Sequence, residues 1–275
     1  MSHDTAAFLH NTETINPNYC EIISQWGTRP TTAHQVASLL RETFTLLDKV
    51  GGALSGPWGC MMGDPAPTTP FTNVSGMNDN EFLRFVENAH TEDRPDRGFT
   101  QSLVRGDLST ADGWRERDWA SISFGVGTRH GLWKGEYFTL SGDRKQPAAS
   151  ITMREQASRL VVGLARIWRP DFSSFQDAEL GDLQHGHWLA WHARMTLDRW
   201  PMWGYVSYLS DRVAQDLERY VRGASVKRFG TGWILVTDSQ DPEDAARVWR
   251  RLERKRCLRP VPVVQDTQPQ FPPAG

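Results

Sequence analysis

The chain reads as an α+β protein, a mixed, largely antiparallel sheet with hairpins packed against amphipathic helices. Three observations predict this. Ala120, Ile122, Phe124 and Val126 alternate with their neighbours at the period of a half-buried strand. Two Gly-bearing turns, 127–131 and Gly230-Thr231-Gly232, each separate two strand-like runs and imply antiparallel hairpins. Helical stretches are interspersed among the strands without the regular alternation of a parallel α/β sheet.

The elements follow in chain order. Residues 1–18 read as a flexible arm, 19–259 as one domain (or two subdomains split near 142–150), and 260–275 as a flexible Pro-rich tail. Tyr19 to Trp26 is a short strand, and Gly27-Thr28-Arg29-Pro30 a turn. Thr32 and Gln35 have capping-box spacing, each side chain able to satisfy the other's free N–H. Val36, Leu39, Leu40, Phe44, Leu47 and Val50 then line one helical face, which Gly51-Gly52 ends. Residues 53–77 read as a long loop. Asn78 with Glu81 opens a second helix, and 91–118 reads as irregular. Trp119 to Val126 and Trp133 to Leu140 form the first hairpin. Ile151 to Trp168 is a helix weakened by Gly163 and stopped by Pro170. Asp171 to Phe175 is a short strand, 176–200 carries no clear pattern, and Trp203 to Leu209 is a strand. Ser210 is placed to cap a helix through Val221. Val226 to Val236 gives the second hairpin, and Asp241-Pro242-Glu243-Asp244 starts the last helix with a cap, a Pro and acids in its first turn.

Composition narrows the function. With 275 residues, 39% hydrophobic and 23% charged, the chain is of ordinary globular type and long enough to hold a core without disulfide or metal. The net charge of −2 supplies no global attraction for nucleic acid. The charge is nevertheless uneven. Arg247, Arg250, Arg251, Arg254, Lys255, Arg256 and Arg259 stand together against Glu253 alone, which leaves the rest of the chain acidic. Cys20, Cys60 and Cys257 are odd in number and widely separated, as expected of reduced thiols in a cytoplasmic protein. The N-terminus lacks the features of a secretory signal, and no apolar run reaches the length of a membrane span.

The chemistry-bearing residues are sparse. His185, His187 and His192 lie near Asp177, Glu179 and Asp182, and read either as ligands of a hydrolytic metal or as polar residues of an irregular segment. Nucleophile-elbow, phosphate-loop and dinucleotide motifs are missing. The 247–259 cluster reads either as a phosphate-binding surface or as cations complementing a helix C-terminus. The balance favours a non-enzymatic chain with no cofactor and no metal. Its aromatic signal is Trp188, Trp191, Trp200 and Trp203 beside the acidic stretch 177–182; aromatics ringed by carboxylates suit a basic protein partner, with Asp177, Glu179, Asp182, Trp188 and Trp191 as the contact residues.

Stretches in the same order along the chain resemble the immunity protein 52 family. They are Trp26-Gly27-Thr28-Arg29-Pro30 with its helix and Trp58; Leu160 to Phe175; Trp203-Gly204-Tyr205-Val206-Ser207-Tyr208-Leu209; and Gly230 to Val236 with the final helix. In that family Trp26, Gly27, Arg29, Pro30, Trp58, Gly204, Gly232 and Trp233 would serve as fold markers. The resemblance implies a bacterial antitoxin of polymorphic-toxin and type VI secretion systems, which neutralises a cognate toxin of restriction-endonuclease-like nuclease type. A metal-dependent hydrolase and a nucleic-acid-binding protein are the alternatives.

Overall fold

The computed structural model describes residues 19–61, 71–89, 98–105, 120–127, 136–143, 154–191 and 200–262. The arm at 1–18 and the tail beyond 262 lie outside the described residues, as do Trp119, Trp133 and Ile151. Ten strands form one sheet: β1 (Tyr19–Trp26), β2 (Trp58–Met61), β3 (Phe71–Asn73), β4 (Phe99–Arg105), β5 (Ala120–Val126), β6 (Glu136–Asp143), β7 (Phe172–Asp177), β8 (Val206–Ser210), β9 (Ala224–Phe229) and β10 (Gly232–Thr237). Their order is β3-β2-β4-β5-β6-β1-β7-β8-β10-β9. Every pairing among the described strands is antiparallel, so the fold is α+β and its sheet is antiparallel rather than mixed.

The helices are α1 (Ala33–Val50), α2 (Asp79–Asn88), α3 (Arg154–Trp168), α4 (Ala178–Trp191), the single turn α5 (Leu217–Tyr220) and α6 (Pro242–Arg254). Both capping boxes form, Thr32 with Gln35 and Asn78 with Glu81. Asp241 caps α6 by accepting from the backbone N–H groups of Glu243 and Asp244, with Pro242 in the first turn where its missing N–H costs nothing.

The strand register sorts side chains onto two faces. Ser24 lies opposite Ser173 and Phe138, and Ile22 opposite Leu140 and Phe175. This face meets α3: the Trp168 ring stacks on Trp26 (centroids 5.8 Å apart) and on Phe138 (5.0 Å). Behind it α1 packs on α3, and Trp168 Nε1 donates to Thr43 Oγ1 at 3.0 Å. Gly163 makes this approach possible, because a Cβ there would lie 2.5 Å from the Leu46 side chain. The opposite face carries Phe172, Ser174 and Gln176 and meets α4 and α6 near β7, β8 and β10. Helices on both sides therefore bury every residue of β7 and β8.

Several expectations change. The presumed loop 53–77 contains β2 and β3, and 91–118 contains β4. The unpatterned 176–200 begins with the end of β7 and then forms α4. The helix expected after Ser210 is only α5. The Ser210 hydroxyl instead donates to Asp171 at 3.3 Å, and the backbone turns through 211–216.

Candidate protein-binding face

Two polar constellations stand out, one sealed inside the fold and one at its surface. The sealed one explains the Trp26-to-Pro30 motif. Glu136, at the start of β6, is fully buried and accepts from Trp26 Nε1 (2.5 Å), Arg29 N (3.0 Å) and Gly127 N (2.9 Å). Arg29 lies with Nε 3.8 Å from the same carboxylate, its Cζ 4.8 Å from the Trp26 ring centre, and Nη2 donating to Trp168 O at 2.6 Å. The guanidinium thus satisfies the last turn of α3, where a cation is favoured. Asp171 accepts from Gly27 N (3.1 Å) and Ser210 Oγ, with Arg212 Nε 3.6 Å away. Burial pushes the Glu136 and Asp171 carboxyls above their ordinary range, and their N–H donors and arginines pull them partway back. Burial also lowers the Arg29 pKa. Perturbed groups often mark active sites; these are enclosed and committed to tying β1, β6, β7 and α3 together.

The surface constellation is built on α4 and α6, which pack side by side. Asp177 begins α4 as its cap, Oδ1 accepting from Leu180 N at 2.9 Å and both oxygens lying 3.0 Å from the Tyr205 hydroxyl. Asp177 is only 7% exposed, so its carboxylate is committed within the fold. Glu179, Asp182 and His185 are exposed along α4, while Leu180 and Gln184 turn inward. Gln184 Oε1 accepts from Trp203 N at 3.1 Å. His187 Nε2 meets Glu253 Oε2 of α6 at 2.7 Å, and Trp203 Nε1 donates to Glu253 Oε1 at 2.9 Å. His187 is thereby part of a clasp between two helices. No group of three or more metal-ligating side chains forms among the described residues. His192 and the side chains of Trp188 and Trp191 lie outside the described residues; Trp188 and Trp191 fall on α4.

The basic cluster is divided along α6. Near its start Arg247 pairs with Asp244, and Arg250 Nη1 with Glu243 at 3.4 Å. Arg254, Lys255, Arg256 and Arg259 are exposed at the other end.

The remaining markers are structural. Trp58 is buried with Nε1 donating to Leu54 O at 3.2 Å. A Cβ on Gly204 would lie 2.8 Å from Phe175 O, and one on Gly232 2.5 Å from Leu209 O, so both places admit only glycine without movement. Trp233 is half-buried, its Nε1 donating to Asp211 at 3.0 Å beneath the Arg228 guanidinium. Sequence reasoning missed Glu136 and Asp171 because a lone acid carries no pattern. It also missed the contact between α4 and α6, elements more than fifty residues apart.

No protein-family model matches the chain, and no curated protein matches it. Among solved structures, one titled "Pseudomonas aeruginosa T6SS protein PA0821" is similar, with 12% identity and a TM-score of 0.47 over 91% of this chain and 77% of that chain. A likeness this distant carries no functional argument. No helix among the described residues is long and apolar enough to cross a membrane.

Proposed function

We propose that this is an immunity protein, which binds and neutralises a cognate secreted toxin of a type VI secretion or other polymorphic-toxin system. The reading takes the partner to be a nuclease-type effector, the setting to be the cytoplasm of the producing bacterium, and the chain to act by binding without catalysis. The observation that supports it is the α4–α6 pair: two surface helices clasped through His187, Glu253 and Trp203, bearing exposed charges, on a sheet scaffold braced by the Glu136–Arg29–Asp171 network. A rigid, charged, preformed face loses little freedom on docking. Protection needs nanomolar binding, about −12 kcal/mol, and an interface of roughly 1,600 Å² with a few anchors supplies it. On α4 the contacts are Glu179, Asp182, Trp188 and Trp191, with Asp177 holding the helix that presents them.

The test is co-expression of the chain with the toxin encoded beside it. Restored growth and co-elution on a sizing column are expected; continued killing with no complex would refute the assignment.

A further inference from the structure

The C-terminal end of α6 meets α5 in a small, braced, strongly basic surface. Gln215 N donates to Cys257 O at 2.9 Å and Arg259 N to Val213 O at 2.8 Å, and Ala214 bridges Leu258. At its centre the half-buried Tyr220 ring has Arg219 Cζ 5.1 Å and Lys255 Nζ 5.8 Å from its centre. Arg254, Arg256 and Arg259 are exposed at the adjoining end of α6 and just beyond it. Of the other cations nearby, Arg212 pairs with Asp171, Arg228 with Asp211, Arg247 with Asp244 and Arg250 with Glu243. Arg219, Arg254, Lys255, Arg256 and Arg259, like Arg222 and Arg251, have no ion-pair partner among the described residues, although Asp216 and Glu218 stand on the same turn.

The backbone adds a second observation. Cys257 N donates to Leu252 O and Arg256 N to Glu253 O, the hydrogen bonds of a Schellman stop. The residue at its left-handed position is Arg256, with φ +56°, where glycine is the unstrained choice. A long cation is therefore held at a strained position, as happens where a side chain is needed for recognition.

We propose that Tyr220 with Arg219, Arg254, Lys255, Arg256 and Arg259 docks a carboxylate-rich protein surface, and, resting on the immunity reading above, that this surface belongs to the toxin. Arginine outnumbers lysine in this set, and its planar fork matches carboxylates two bonds at a time. A rigid tyrosine flanked by arginines has the composition of an interface anchor. Phosphate attracts arginine too; a single-stranded nucleic acid would also call for a series of aromatic platforms for successive bases, and Tyr220 is the one aromatic carrying the contacts named above.

The experiment titrates the full chain against fluorescein-labelled deca-glutamate and, separately, labelled decathymidylate, reading anisotropy at about 50 mM salt. Deca-glutamate should bind at least about tenfold more tightly than the oligonucleotide. Arg254→Glu with Arg259→Glu should weaken that binding about tenfold or more, with unchanged melting. Tyr220→Leu should weaken it several-fold, and Arg247→Glu should leave it near wild type. Tighter binding of the oligonucleotide, no binding of either probe, or indifference to the double reversal or to Tyr220→Leu would overturn the proposal. No toxin enters this assay, so failure here is separate from failure of the immunity reading. If the double-reversal variant still rescued growth in co-expression, the immunity role would stand and the assignment of this face to the toxin would fall.

Discussion

Replacing Glu136 with alanine should come close to unfolding the protein. The substitution removes the acceptor from Trp26 Nε1, Arg29 N and Gly127 N together, and strips the buried Arg29 guanidinium of its nearest carboxylate. Breaking one side of a buried ion pair costs about 3–5 kcal/mol, and each orphaned buried N–H about 1–3 kcal/mol more. The effects share one network and do not add, and Asp171 still faces Arg29, so the expected loss is about 5 kcal/mol. A domain of this class has roughly 5–15 kcal/mol in all. The melting temperature should fall by about 10–20 °C. Glu136→Gln keeps the volume and one acceptor oxygen but turns an amide N–H₂ towards donors, and should cost about 2–3 kcal/mol. Urea unfolding followed by tryptophan fluorescence measures both, since Trp26 and Trp168 sit at the network. An alanine variant within about 1 kcal/mol of wild type, or a glutamine variant less stable than alanine, would refute this account of the Trp26-to-Pro30 motif.

Other outcomes follow from the same geometry. Because burial holds the Glu136 and Asp171 carboxyls above their ordinary range, the native state binds protons more tightly than the unfolded chain. Their contribution is full below the ordinary carboxylate pKa of about 4 and is lost as pH rises through the raised values. Urea midpoints should fall across that window, less steeply in Glu136→Gln; equal slopes would contradict the shift. Arg256→Gly relieves the left-handed position and should raise stability by about 1 kcal/mol while weakening deca-glutamate binding; a loss of stability would show that the arginine carries an internal contact. Gly186→Ala, on an exposed helical site where a Cβ meets nothing within 4 Å, should stabilise α4 by about 0.5–1 kcal/mol, read as a higher melting temperature. Gly204→Ala places a Cβ 2.8 Å from a backbone oxygen and should cost about 1–3 kcal/mol or more; a neutral result would mean that β7 and the 204 loop move apart freely.

What could be read from the sequence was local. The three capped helices depend on side chains within a few residues of one another, and Thr32, Asn78 and Asp241 act as the spacing requires. The β5–β6 and β9–β10 hairpins were legible because alternation and turn sit together. Short β2, β3 and β4 were hidden, since three to seven residues give a weak period. Helix α4 was obscured by Gly181, Gly186 and two histidines; its order comes from the Asp177 cap and the clasp to α6, a tertiary cause. Of the candidate contacts, Glu179 and Asp182 are exposed, whereas the Asp177 carboxylate is enclosed by Tyr205, which no local pattern announces. Of the tryptophans whose side chains are described, Trp26, Trp58, Trp168, Trp203 and Trp249 are buried in the core, and Trp200 and Trp233 are half-buried.

As proposed above, this chain silences one other protein by occupying it. Titrating the purified chain into the active toxin encoded beside it, with the toxin's own activity as readout, tests this most directly. Activity should fall linearly to zero at a fixed stoichiometric ratio, with a dissociation constant at or below the nanomolar range. Undiminished toxin activity at a large excess of the chain would contradict it.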